Sequence, residues 1–441
     1  VPSVDEVTIA ADFVSFEGFE VTGSDFIGIN VYGASNVRIA HNVIHHNTRG
    51  AIYAAPAEGR GTSDLEIEGN IVYRNSLDNS GRQSQGGWAG AIQTLDAHRL
   101  TVIDNRVYEN WGEGISFTVT DGSTARGNVL YDNYSVQLYM DHATNSVFEG
   151  NLLYETGNQE FFRELNGAGP ANGIQVSNEP GYASGEPARG NRIVNNIVIG
   201  GRAAFQYWRA GGDDTGLRDT LIAHNTFYGS REVLLKIDDN SHGNSAFINN
   251  LLVSSGSDLA WLNTAGLTFA HNAWHGQGAI AGAGDIKGDC GVTRPGGTQA
   301  SDYALSSMDS PCVGAGELLS EVNRDFWGGV RTGRADIGAH QFGATPPPGM
   351  PSAGSGGTGS AGAAAERGGG SSSASSSAEG AGQSGAQHSA PHAAKTPSSD
   401  GFERSPEPTG CGLRSVPSGK FNVALALLAL FALTSRRRRV P

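Results

Sequence analysis

The residues best suited to chemistry lie in the middle of the chain. Lys236 is closely followed by Asp238 and Asp239, and Arg209, Asp213 and Asp214 come shortly before it. An amine beside a guanidinium and several carboxylates can take a proton from carbon next to a carboxylate group, if a cation neutralises that group. In that arrangement Lys236, Asp238 and Arg209 would do the chemistry. Asp213, Asp214 and Asp239 would hold the cation, and oxygen donors of this kind suit Ca²⁺. A second charged group, Glu160, Arg163 and Glu164, falls near Asp141 and His142. His45-His46 is a poor metal pair, because adjacent strand residues face opposite sides. Plainer readings compete: solvated surface for Lys236, and turn chemistry for Asp141, His142, Asp213 and Asp214.

These side chains need elements to position them, and the sequence supplies a repeat. Val37-Arg-Ile-Ala-His-Asn42-Val-Ile-His-His-Asn47 returns as Leu65-Glu-Ile-Glu-Gly-Asn70-Ile-Val-Tyr-Arg-Asn75 and as Leu100-Thr-Val-Ile-Asp-Asn105-Arg-Val-Tyr-Glu-Asn110. Further copies centre on Asn128, Asn151, Asn196, Asn225, Asn250 and Asn272. A degenerate first copy, Val14 to Val21, is expected to put Gly18 in the Asn place. From that glycine onward the spacings are 24, 28, 35, 23, 23, 45, 29, 25 and 22. The short spacings define a rung, and the long ones place insertions at about 76–90 and 157–190. Strand alternation at this period, without helical stretches or a leucine-rich pattern, predicts a coil of short strands and turns. Asn suits its corners. Its amide both donates and accepts, so copies about 4.8 Å apart can bond to one another, and it tolerates left-handed backbone.

A second strand follows each corner. Ile52, Ile92, Ile115, Val136, Ile174, Phe205 and Leu235 are expected to point inward. Alternation then puts Tyr53, Gln93, Ser116, Gln137, Gln175, Gln206 and Lys236 in one outward column, with Tyr139, Ser177, Trp208 and Asp238 two residues on. Amides bond sugar hydroxyls in both directions, and Tyr139, Trp208 and Trp88 could stack on sugar faces. Gln93, Gln137, Tyr139, Gln175, Gln206 and Trp208 are therefore the candidate substrate-binding set. The competing reading is that the glutamines ladder to each other.

Formal charge is −14, and the last 32 residues carry six basic and no acidic side chains, so the rest is 24 − 44 = −20. Nucleic acid is excluded as a partner, since it needs clustered Lys and Arg. Apolar residues able to build a core run to Phe342, giving one domain over 1–342. A Gly/Ser/Ala/Pro-rich stretch over 343–409 reads as a flexible stalk. The tail, 410–441, holds Gly410-Cys411-Gly412, an apolar run Phe421–Leu433 and Arg436–Arg439. The run is short for a membrane span of about 20 residues; its arginines would stay cytoplasmic. Because the chain opens at Val1 directly in strand-like sequence, a leader and early rungs are expected to be missing.

The Asn-anchored repeat over about 14–275 resembles the right-handed parallel β-helix proteins, the superfamily of pectate lyases and related polysaccharide enzymes. The resemblance implies an all-β, single-stranded right-handed parallel β-helix acting on or binding polysaccharide as a monomer. It also implies Ca²⁺ held by acidic side chains beside a base, if the chain is a lyase; the alternative is a non-catalytic, adhesive carbohydrate-binding surface. Asn323 to Arg331 and Ala335 to His340 resemble the motif that closes such solenoids, so 275–342 is expected to cap the open end. The tail is similar to the sorting signals of myxobacterial surface proteins, in which the cysteine, here Cys411, is processed and anchored. That implies an extracellular, membrane-tethered domain, and in an oxidising compartment Cys290 and Cys312 are expected to pair. The alternative is two buried thiols.

Overall fold

Three short strands make one turn of the chain, and each turn stacks on the one before it. The computed structural model describes residues 1–346 apart from 84–85, 164–168, 183–184, 212–215, 239 and 263–264. Glu164, Asp213, Asp214, Asp239, Cys411, the stretch from 347 and the Phe421–Leu433 run lie outside the described residues. In one rung Ile29–Tyr32 leads to Ser35–Ala40 and then Val43–His45. In the next, Ile52–Ala55 leads to Thr62–Glu68 and Ile71–Tyr73. Each strand pairs in parallel with its equivalent one rung on. The described residues contain no α-helix, and no helix long and apolar enough to cross a membrane.

Left-handed residues turn the corners. His41, Asp104, Asn195, His224, Asn249 and His271, each just before a ladder Asn, have φ between 54° and 61°. Gly69, Gly127 and Gly150 fill the same place in other rungs. The first rung corrects the sequence reading. Glu17 pairs with Ala40 and Glu20 with Val43, so Gly18 matches the corner residue His41. Phe19 stands in the Asn place, and its N–H donates to Asn42 Oδ1 at 3.0 Å. Glycine had the right conformation for the corner one residue away.

The predicted ladder is continuous. Asn42 Nδ2 donates to Asn70 Oδ1, Asn70 to Asn105, Asn105 to Asn128 and Asn128 to Asn151, each at 3.0 Å. It runs on through Asn196, Asn225, Asn250 and Asn272. Asp285 ends it, accepting the Asn272 N–H at 2.8 Å. A second, shorter ladder at the next corner runs Asn47, Asn75, Asn110, Asn133. Inside, like residues stack: Ile52, Ile92, Ile115, Leu138, Ile174 and Phe205 pair in register and are wholly buried.

The closing motif does not lie across the open end. Short pairings of Ile286–Lys287 and Ala283 extend the last rung. Beyond Cys290 the chain then doubles back along the flank. Arg331 Nη2 donates to Asn195 Oδ1 at 3.0 Å, the Ala339 N–H to Thr226 Oγ1 at 3.0 Å, and Asn249 Nδ2 to the Glu317 carbonyl at 2.8 Å. This segment covers an apolar strip on the outside of the solenoid, including Leu152, Tyr154, Ile197, Ile199 and Leu251. Cys290 and Cys312 form a disulfide that ties its start to the last rung, with Cα atoms 5.6 Å apart.

Asn151 takes the Asn128 N–H and Nδ2, and gives its own Nδ2 to Asn196 and to the Ala125 carbonyl. Asn151→Ala strands several of these buried groups and is expected to cost about 3 kcal/mol in urea unfolding. Asn36→Gly, at an exposed left-handed residue within the strand Ser35–Ala40, is expected to stay within about 0.5 kcal/mol.

Candidate functional site

The outward face of the strands that begin each rung carries the candidate residues. Register corrects the column. Ile115 pairs with Leu138 and Ser116 with Tyr139; Tyr139 then pairs with Gln175, Gln175 with Gln206 and Gln206 with Lys236. The column therefore reads Tyr53, Gln93, Ser116, Tyr139, Gln175, Gln206, Lys236. Gln137 sits two residues earlier on the strand. A two-residue slip keeps a side chain on its face but moves it along the strand. Gln137 is buried and spoken for: its amide donates to Glu155 Oε1 at 2.9 Å and accepts from Asn133 at 2.5 Å.

Insertions flank this face on both edges. Residues 76–90 and 157–171 both leave from the corner after the third strand of a rung, and they interlock. Arg82 Nη1 donates to the Gln159 carbonyl at 2.8 Å, and the Arg163 guanidinium lies 5.0 Å from the Trp88 ring; Phe161 also meets Trp111, from the rung between them, at 5.0 Å. The expected second insertion is thus two, split by the strand Asn172–Ser177. Its later part, from Asn178, edges the other side. There the Ala188 N–H donates to Asn178 Oδ1 at 2.6 Å, and Tyr182 meets the His142 ring edge-on at 5.8 Å.

Between these walls the central rungs gather three carboxyls around one phenol. Asp141 and Ser177 are cross-strand neighbours, which sets Glu179, two residues on, beside Asp141. The Glu179 N–H donates to Asp141 Oδ1 at 2.8 Å, and His142 Nδ1 lies 2.8 Å from the same oxygen. Tyr139 donates its hydroxyl proton to Glu179 Oε1 at 2.5 Å. Glu113 comes from the preceding corner and accepts from Ser116 Oγ. All are nearly buried: Ser116 0%, Asp141 1%, Tyr139 3%, Glu179 5% and Glu113 6% exposed. Burial first, then the negative charges of Asp141 and Glu113, push the Glu179 carboxyl up to about 8. The same causes, led by burial, raise Tyr139 well above the ordinary phenol range. At neutral pH Glu179 therefore keeps a proton to give, with the Asp141 carboxyl beside it.

The other predicted residues are not at this centre. Lys236 is three rungs from Tyr139, about 14 Å at the strand spacing. Asp238 uses an oxygen on the Arg209 backbone N–H, at 3.0 Å. Gln175 and Gln206 are buried, and both accept from Asn172 Nδ2, at 3.0 and 2.7 Å. Gln93, Trp208 and Tyr53 are part-exposed, as are Lys236 and Asp238. Trp88 is buried in the wall. The His45 and His46 rings do meet, at 4.9 Å, because His46 is a left-handed corner and not a strand residue. They bond to each other, and His45 Nε2 also meets Glu20. No group of three or more His, Cys, Asp or Glu among the described residues could hold a metal ion. Sequence reading missed Glu113 and Glu179. The available signal was the alignment of Asp141 with Ser177, which brings Glu179 alongside.

Stacked parallel strands around a continuous interior core make this a parallel β-helix. The chain belongs to the right handed beta helix region family, whose model matches residues 7–273. No curated protein matches it in sequence. Among solved structures it is similar to pectate lyase Pel9A, with 15% identity and a TM-score of 0.48 over 77% of this chain and 89% of that one. It is also similar to PfbA, a surface adhesin of Streptococcus pneumoniae, with 11% identity and a TM-score of 0.45 over 62% and 72%. XylC in complex with xylose gives 12% identity and a TM-score of 0.42 over 73% and 66%. These likenesses are too distant to speak for the chemistry of this chain.

A carboxyl with a raised folded value keeps its proton where the unfolded chain has lost it, so its contribution falls as pH rises. The stability of the wild type relative to Glu179→Gln is expected to fall from about pH 4.5 to about pH 8, by up to about 1.4 kcal/mol per unit, then level off. Urea unfolding of both proteins across that range checks this.

Proposed function

We propose that the protein cleaves glycosidic bonds of a polysaccharide laid along the solenoid axis, between the two insertion walls. The observation that carries this reading is the pairing of a protonated Glu179 with Asp141 on an outward face. Three carboxyls packed together off the core weaken a scaffold, and an acid that keeps its proton, set with a second carboxyl about the scissile bond, is the equipment of glycoside hydrolysis. Glu179 would protonate the leaving oxygen. Asp141, oriented by His142 and the Glu179 N–H, would activate water or stabilise the positive charge developing on the sugar. Part-exposed Tyr53, Gln93 and Trp208 would bind sugars on either side, by stacking and amide bonds.

The charge pattern favours a neutral glycan. The charges that perturb Tyr139 and Glu179 are all acidic, so a uronate here would meet repulsion from them. The lyase reading keeps Lys236 as base, with Arg209 and Asp238 beside it and Ca²⁺ on Asp213, Asp214 and Asp239. A purely binding, adhesive surface is the second reading; the near-complete burial of the carboxyls favours it. In all three the protein works as a monomer at the cell surface, on the 343–409 stalk and the tail with Cys411.

Incubation with neutral and uronic-acid polymers, with and without Ca²⁺, separates the readings. Hydrolysis yields new reducing ends without an unsaturated, ultraviolet-absorbing product. It is expected to decline above about pH 8 and to drop about 10²–10⁴-fold in Glu179→Gln or Asp141→Asn. A Ca²⁺-dependent unsaturated product abolished by Lys236→Ala would replace this mechanism with the lyase. Polymer binding without any product would leave the adhesive surface.

A further inference from the structure

The second Asn ladder stops where the 157–171 insertion begins, and what ends it is a pair of acids. Tyr131 pairs with Tyr154, so in register Asp132 matches Glu155 and Asn133 matches Thr156. Position 156 should carry the next ladder Asn. It carries Thr, and Asn133 turns instead to Gln137 Oε1, whose own amide donates to Glu155 Oε1 at 2.9 Å. Glu155 in turn hydrogen-bonds the Asp132 carboxyl. Asp132, 1% exposed, also accepts the Thr156 N–H at 2.9 Å and the Thr156 hydroxyl. The hydrogen-bond chain therefore runs Asn47, Asn75, Asn110, Asn133, Gln137, Glu155, Asp132, Thr156.

Two carboxyls can hydrogen-bond each other only while at least one keeps a proton. We propose that the Asp132–Glu155 pair is a proton-dependent latch that fastens the base of the 157–171 insertion to the solenoid. With Glu155 protonated, it donates to Asp132, and Asp132 can hold Thr156. When that proton leaves, two carboxylates face each other, with Asp132 buried and Glu155 only part-exposed, and the chain from Glu155 onward is driven away to rehydrate them. The freed segment is the wall element that carries Phe161 and Arg163.

Among the described residues no cation acts on Asp132 or Glu155 to replace the proton. Glu109 is the other carboxylate facing Asp132; it is bound by Arg74 at 2.8 Å and touched by Asn158 Nδ2 at 3.5 Å. Tyr154, on the strand leading into Glu155, also faces Asp132, and nearby Arg106 is engaged with the Tyr131 hydroxyl at 3.1 Å. Gln137 is neutral. Burial and the neighbouring acid accordingly raise Glu155 well above the ordinary carboxyl range. This inference does not depend on what the outward face binds or cleaves.

Hydrogen exchange of the full chain, corrected for the intrinsic rate at each pH, tests it. Amides of 155–163 are expected to lose at least about tenfold protection between pH 7 and pH 10, relative to strand amides at 197–199. Glu155→Gln keeps a donor to Asp132 and cannot ionise, so its protection should stay flat; Asp132→Asn should flatten it too by removing the facing charge. A wild type whose insertion keeps its protection to pH 10 would overturn the latch, whether or not either variant folds. So would a folded Glu155→Gln protein that loses protection as the wild type does.

Discussion

Everything in this molecule depends on satisfying backbone groups at buried corners. A solenoid turns its chain sharply three times per rung, and each turn leaves N–H and C=O groups that water cannot reach. The corner asparagines answer this by joining neighbouring rungs through amide bonds of about 3.0 Å. Because each amide serves the rung on either side, the ladder also fixes register. Register in turn decides which residues share the outward face. The identity of one corner residue thus reaches, through strand pairing, to the position of Tyr139 beside Glu179.

That face departs from the rule followed elsewhere. Charged groups on the first rungs pair off near solvent, as Arg38 does with Glu17, Glu66 and Glu68, and such pairs contribute little. At the centre, three acids crowd one tyrosine, and the charges acting on Tyr139 and Glu179 there are acidic. Scaffolds carry unfavourable groups of this sort where the chemistry uses them. The pair at Asp132 and Glu155 is of another kind. It stands at a corner, in ladder register, and its place at the root of an insertion ties its protonation to anchoring.

Much of the fold could be read from the chain because each element repeats. Nine asparagines with apolar flanks announce the rung, and alternation announces inside and outside. The misreadings come from single-residue and two-residue offsets. Gly18 was placed one position early in the ladder because glycine suits both a corner and a missing side chain. Gln137 was placed in the column because slipping two residues preserves inside and outside, so alternation cannot detect it. The His45 and His46 rings were set on opposite faces because His46 was read as strand, when it is a corner.

The sequence alone determined the repeat, the coil of parallel strands and the inward and outward faces, since each follows from spacing; it left Cys290 and Cys312 open between a disulfide and two buried thiols, and the structure pairs them. Tertiary structure decided the site. Glu113, Tyr139, Asp141 and Glu179 come from three rungs and two corners, and no spacing in the chain links them. Their proximity follows from rung-to-rung register and from an insertion that turns Glu179 back onto Asp141. It also decided that the closing motif lies on the flank, because the apolar strip formed by Leu152, Tyr154, Ile197 and Ile199 exists only once separate rungs have stacked.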